Sequence, residues 1–143
     1  MHVIIPISLG GISGALCRYY ASLYIQSILP SSFPSATLII NITGCLFIGF
    51  VIQAALMDPG FSNKVRLFLV TGFAGSYTTF STFEYETLQL ISNGDYTSAF
   101  LNVFLNNTAG LAAVYLGIII AEKLYKSRVW INIFKPPYYR EYN

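Results

Sequence analysis

Apolar residues run along this chain in four long stretches, at residues 3–29, 34–57, 65–91 and 96–121, separated by short polar interruptions. Each is long enough to supply the roughly 20 residues with which a helix crosses the hydrocarbon core of a bilayer, so the pattern predicts four transmembrane helices. Between Tyr19 and Met57 there is no Asp, Glu, Lys or Arg. The chain must therefore reverse at residues 29–34, where Pro30 and Pro34 flank Ser31 and Ser32. The loops at 58–64 and 92–95 are short, and nothing enzymatic fits in them. The first stretch lacks the basic amino end of a secretory signal and exceeds the usual length of one. It also carries Gly10 and Gly14 at a spacing suited to close helix packing, and it is read as a permanent helix.

Composition sharpens this picture. Of 143 residues, 55% are apolar and 16% aromatic, and only 10% are charged, against about a quarter in an ordinary soluble domain. Eight basic and six acidic side chains cannot cover a globule of this size in water, so the solvent is lipid. A net charge of +2 leaves no broad basic face for nucleic acid. Cys17 and Cys45 lie inside apolar runs without metal-ligand spacing and read as reduced thiols packed as small hydrophobes; the single histidine, His2, is at the amino end. Hydrolytic triads and His-cluster metal chemistry are excluded on this count. The expectation is an all-α integral membrane protein, multi-pass in the plasma (cytoplasmic) membrane. It comprises one four-helix domain over residues 1–121 and a basic, aromatic interfacial tail over 122–143 with Trp130 as a belt residue. Both termini and the 58–64 loop share one side, which collects Lys64, Arg66, Lys123, Lys126, Arg128, Lys135 and Arg140. The positive-inside rule places that side in the cytoplasm.

Polar groups inside the spans carry the rest of the information, because lipid forbids them unless they are paired or line water. In the second span Thr37, Asn41, Gly44 and Ile48 share one helical face beside Cys45. An isolated Thr37 hydroxyl is expected to bond back to its own helix. The Asn41 amide has two donors that no intrahelical carbonyl fully uses, so it either glues helices together or faces a conduit. The fourth span has a similar face of Asn102, Asn106, Gly110, Ala113 and Gly117, with Asn107 and Thr108 alongside. The third span is the most unusual. From Thr71 to Phe83 it is interrupted by Gly72 and Gly75 and crowded with Ser76, Thr78, Thr79, Ser81 and Thr82, which disfavours an unbroken helix. A break at membrane depth is tolerated where the freed carbonyls find protein, water or an ion; the other reading is a Gly-rich packing seam. Arg18, Glu84 and Glu86 are expected to snorkel toward the interfaces.

Three blocks carry a family likeness: residues 10–19 around Gly10, Gly14 and Arg18; residues 37–44 around Thr37, Asn41 and Gly44; and Thr71, Gly72, Phe73, Gly75, then Thr78, Thr79, Phe80, Ser81, Thr82 and Phe83, with Glu86 three residues on. With these the chain resembles the small four-helix fluoride channels of microorganisms, also called camphor-resistance or fluoride-exporter proteins, over roughly residues 8–121. The resemblance implies passive export of fluoride and resistance to its toxicity. It implies an antiparallel, dual-topology homodimer with two pores and a break in the third helix. It further implies a structural sodium ion at the dimer centre, held by the backbone carbonyls of Gly75 and Thr78 from both copies. Asn41, Phe80 and Phe83 would then be pore residues, Ser81, Thr82 and Thr37 would supply hydroxyls, and Asn106 would stand where a serine is common. Arg18 and Glu86 would be vestibule or anchoring residues. The chain departs from the pattern at Asn102, where a tyrosine is expected, at Ala36 in place of glycine, and in an additional Glu84. The basic tail is expected to be a weak determinant of orientation.

Such a pore is chemically coherent. Fluoride is small and strongly hydrated, so a passage must replace its water while binding weakly enough to release it. Phenyl rings present a positive edge without a full charge, and on composition alone Phe80 and Phe83 would simply pack. The competing class is a small proton-coupled multidrug or cation exporter of four helices. It needs a carboxylate in the middle of a span, usually the first, where this chain has Arg18.

Overall fold

The computed structural model describes residues 3–126 and is all-helical over that range. Helix α1 spans Ile4–Ile28 and α2 spans Ser35–Met57. The third rod is segmented: α3 at Asn63–Arg66, a π segment at Leu67–Ala74, α4 at Gly75–Tyr77 and α5 at Phe80–Ser92. Helix α6 spans Tyr96–Lys126, five residues beyond the expected end of the fourth span. Among the described residues, α2 and α6 are each long and apolar enough to cross a membrane, with mean hydropathy of 2.1 and 1.8. Residues 127–143, which hold most of the expected interfacial tail, lie outside the described residues, as does His2.

Apolar side chains are turned outward and small ones inward, the reverse of a globule in water. Leu9, Ile12, Leu16, Tyr19, Tyr20 and Leu23 of α1 are exposed, as are Phe100, Leu111 and Tyr115 of α6, while the buried positions are mostly Gly and Ala. Lipid gives helices no hydrophobic reason to associate, so close backbone contact must do it. The structure has two such seams. Gly10 and Gly14 of α1 lie against the π segment, where a Cβ on either would run into the carbonyl oxygen of Phe68 or Phe73. Gly49 of α2 and Gly117 of α6 approach the Val114 and Leu46 carbonyls in the same way. Gly10, Gly14 and Gly117, read as small positions in the first and fourth spans, thus lie at the packing seams, whereas Gly49 of the second span is not among the positions singled out in the sequence.

The hairpin between α5 and α6 follows from its letters. Gly94 adopts φ 79°, open to glycine at no steric cost. Its N–H donates to the Ile91 carbonyl at 3.0 Å and that of Asp95 to the Leu90 carbonyl at 2.9 Å, which closes α5 in a Schellman motif. Asp95 then opens α6, its Oδ1 accepting from the Ser98 N–H at 3.1 Å. Hydrogen bonds from Ser98, through its hydroxyl and then its main-chain N–H, hold the Asp95 carboxyl below the usual carboxylate range.

Two features of the third rod differ from expectation. The π segment has no counterpart in the sequence reading; the Gly75 N–H reaches back to the Val70 carbonyl, five residues earlier. The break is narrower than the Thr71 to Phe83 stretch: Gly75 is helical at φ −62°, ψ −30°, and the chain is extended only at Thr78 (ψ 159°) and Thr79 (φ −146°, ψ 114°). The reason is local. Thr79 is an N-cap whose Oγ1 accepts from the Thr82 N–H at 3.2 Å, so a new helix starts at Phe80.

Candidate functional site

The break is held open by one side chain of α2. Asn41 Oδ1 accepts from the Thr79 N–H at 2.9 Å, and Asn41 Nδ2 donates to the Thr79 carbonyl at 3.2 Å and to Asn106 Oδ1 at 3.0 Å. The amide therefore grips both backbone groups of the extended residue and ties α2 to α6. Of the two readings of Asn41, helix glue is realised, and it is realised beside a cavity. That cavity, about 320 Å³, is lined by Asn41, Gly44 and Cys45 of α2, by Gly75, Thr78 and Thr79, by Phe80 and Phe83 of α5, and by Asn106 and Asn107 of α6. The rings of Phe80 and Phe83 lie 5.7 Å apart and tilted by 54°. Phe83 is 4% exposed, whereas Phe80 is 73% exposed on the single chain and points outward with Ser81.

Clasping Thr79 has a consequence for the carbonyls before it. In a continuous helix the Thr79 N–H would bond the Gly75 carbonyl, and the Thr82 N–H that of Thr78. Here the first goes to Asn41 and the second to the Thr79 hydroxyl. The carbonyls of Gly75 and Thr78 thereby lose their helical donors.

A second polar hollow, about 290 Å³, lies on the other side of Thr79, lined by Ala15, Arg18, Tyr19 and Ser22 of α1, Thr37 and Ile40 of α2, and Thr79 and Thr82. Arg18 is half-buried here, and it forms no salt bridge among the described residues. Thr37 does not bond back to its own helix. Its hydroxyl donates to Glu86 Oε1 at 3.0 Å, because the carbonyl four residues earlier, on Phe33, precedes the helix and accepts from the Ser35 N–H. Glu86 correspondingly turns inward instead of snorkelling, and its Oε2 is buried without a hydrogen-bond partner among the described residues. Glu84 is exposed.

Sequence reasoning passed over Thr87 and placed Asn102 only on the polar face of the fourth span. Asn102, at 0% exposure, donates through Nδ2 to Thr87 Oγ1 at 2.9 Å, and the Thr87 hydroxyl donates to the Phe83 carbonyl at 2.8 Å. The available signal was spacing: Asn102 sits one turn before Asn106 on the polar face of α6, and Thr87 sits one turn after Phe83. Cys45 and Cys17 are free thiols, the former facing Gly110 with 3.5 Å to an added Cβ.

Comparison with known proteins places the chain in a family. The chain is 39% identical over 124 residues to a protein of Dehalococcoides mccartyi named fluoride-specific ion channel FluC, covering 87% of this chain and 95% of the relative. It is 40% identical to proteins of the same name from Clostridium perfringens, over 83% of this chain and 93% of the relative, and from Flavobacterium psychrophilum, over 87% and 100%. Residues 5–118 match the family model described as CrcB-like protein, Camphor Resistance (CrcB). The glycine seams, the divided third rod and its asparagine clasp are therefore those of a member of the CrcB-like family, to which this chain belongs.

Proposed function

We propose that this chain is a fluoride-selective channel that lets fluoride leave the cell passively, and that it crosses the plasma membrane four times. The observation that carries this reading is the broken third rod. It places two phenyl rings, one buried and one turned outward, beside a cavity in which Asn41 has both amide hydrogens engaged within the protein. Such a cavity offers a dehydrating anion positive ring edges rather than a fixed full charge. Among the described residues no acceptor reaches the Thr82 hydroxyl proton in the Arg18 hollow or the exposed Ser81 hydroxyl. Both remain able to donate to an ion.

The outward Phe80, the outward Ser81 and the carbonyls of Gly75 and Thr78, which have lost their helical donors among the described residues, support assembly as an antiparallel homodimer with two pores. Carbonyl oxygens without donors are what a hard monovalent cation requires, so a structural sodium ion fits these two residues taken from both copies. The Gly75 and Thr78 carbonyls would hold the ion, which would supply positive charge to offset their dipoles.

Efflux from liposomes containing the purified protein, followed with fluoride and chloride electrodes, tests the function. Rapid, voltage-driven fluoride loss without chloride loss is expected; flux that needs a proton or cation gradient would instead place Glu86 at the centre of an exporter. Replacing sodium by a large organic cation should abolish flux and loosen the dimer, and topology mapping should find both orientations.

A further inference from the structure

Resting on the fluoride-channel reading, we propose that Asn102 is a positioning residue for anion passage. It holds both N–H donors of Asn106 away from the cavity, so that the passage binds its ion weakly enough to release it. The argument begins at the two ends of a relay of hydrogen bonds. At one end the Thr79 N–H can only donate, which forces Asn41 to turn Oδ1 toward it and Nδ2 toward Asn106. Asn106 must answer with Oδ1, and its Nδ2 then faces Asn102, where it donates to the main-chain carbonyl and to Oδ1, each at 2.9 Å. At the other end the Phe83 carbonyl can only accept. It takes the Thr87 hydroxyl proton, so Thr87 accepts from Asn102 Nδ2 and leaves Asn102 Oδ1 for Asn106. Backbone groups thus fix the polarity of all three amides.

The relay returns to the turn of α5 that it started from, enclosing the residues between Thr79 and Phe83. Asn106 lines the same cavity as Phe80 and Phe83. Without the Asn102 side chain its N–H set would retain only the Asn102 main-chain acceptor, and one donor would be released toward an ion. A charge-assisted hydrogen bond to a partly dehydrated anion is strong, and a passage that binds strongly at one site conducts slowly.

The test is fluoride efflux from liposomes over a series of fluoride concentrations. Asn102→Leu, close in size to the native residue, should lower the half-saturating fluoride concentration by about tenfold, the effect of one such bond, and lower the maximal rate with it. In an Asn106→Leu background the same substitution should leave half-saturation unmoved, since no donor remains to be freed. Should Asn102→Leu not assemble, Thr87→Val removes the acceptor that orients Asn102 and should shift half-saturation the same way. An assembled Asn102→Leu protein with native half-saturation, or with an equal shift in both backgrounds, would overturn the proposal. Wild-type liposomes that release no fluoride would instead overturn the channel reading on which it stands.

Discussion

Replacing Asn41 by Leu nearly preserves volume while removing every hydrogen bond that clasps the break. Its two donated bonds, to Thr79 and Asn106, run between separate rods, and interhelical bonds of this kind average about 0.6 kcal/mol each in membrane proteins. The accepted bond matters more. Thr79 is 9% exposed, and its N–H would be left without an acceptor, at a cost of about 1–3 kcal/mol. Asn41→Leu should therefore destabilise the folded protein by about 3 kcal/mol and abolish fluoride flux, because Thr79 is free to rejoin a helix and carry Phe80 with it. The comparison is Asn107→Leu. Asn107 lines the same cavity but is exposed and, among the described residues, bonds only the Val103 carbonyl of its own helix, so its loss should change stability by less than about 0.5 kcal/mol. Reversible unfolding in mixed micelles, titrated with a denaturing detergent, measures both. Equal stability of the two variants would refute the claim that Asn41 holds the break, whatever their flux.

Phe80→Ala and Phe83→Ala should each abolish fluoride flux in the liposome assay while the dimer persists on size exclusion; full retention of flux would mean that the rings only pack. The two should separate in stability, since Phe83 is buried and its truncation costs about 3 kcal/mol, whereas Phe80 is exposed on the protomer. Gly49→Val puts a side chain into the Val114 carbonyl of the facing helix, which cannot yield as a flexible side chain would. Detergent unfolding should register a loss of about 2 kcal/mol or more, and native stability would mean that α2 and α6 have room to part. The Asp95 carboxyl, held below its usual range in the fold, stabilises the start of α6 while ionised. That contribution is fully present above the ordinary value near about 4 and is lost as pH falls through the lower folded value. Asp95→Asn should remove this component from the pH dependence of unfolding, and an unchanged profile would count against the cap.

The spans, the small faces and the existence of a break were legible in the letters because each depends on residue size and polarity at helical spacing. Gly10, Gly14 and the face of Gly110, Ala113 and Gly117 could be read as seams without knowing their partners. The position of the break could not. It is set by the cap at Thr79 and by the reach of Asn41 from another helix, and the glycine that drew attention, Gly75, remains helical. Thr37 was misread for a related reason: its acceptor, Glu86, is 49 residues away and becomes a neighbour only when α2 and α5 pack. The π segment left no trace in composition. Amide polarity is likewise invisible in a sequence, since an asparagine becomes a donor or an acceptor only when fixed backbone groups at the ends of a network decide for it.

The two glycine seams and the polar joint between them imply different tolerances to change. Along α1 with the π segment, and along α2 with α6, main chains meet so closely that even a methyl group is refused. These pairs behave as welded units. Where the units meet, apolar contacts such as Ile25 on Ala36 and Ile40 and Phe47 on Phe73 are joined by exchangeable hydrogen bonds from Asn41 to Thr79 and from Thr37 to Glu86, and the third rod crosses between them at its two extended residues. Drift during evolution should accordingly trade one polar side chain for another at the joint while the welds stay small. Any rearrangement that accompanies ion passage would turn on that joint and leave both pairs rigid.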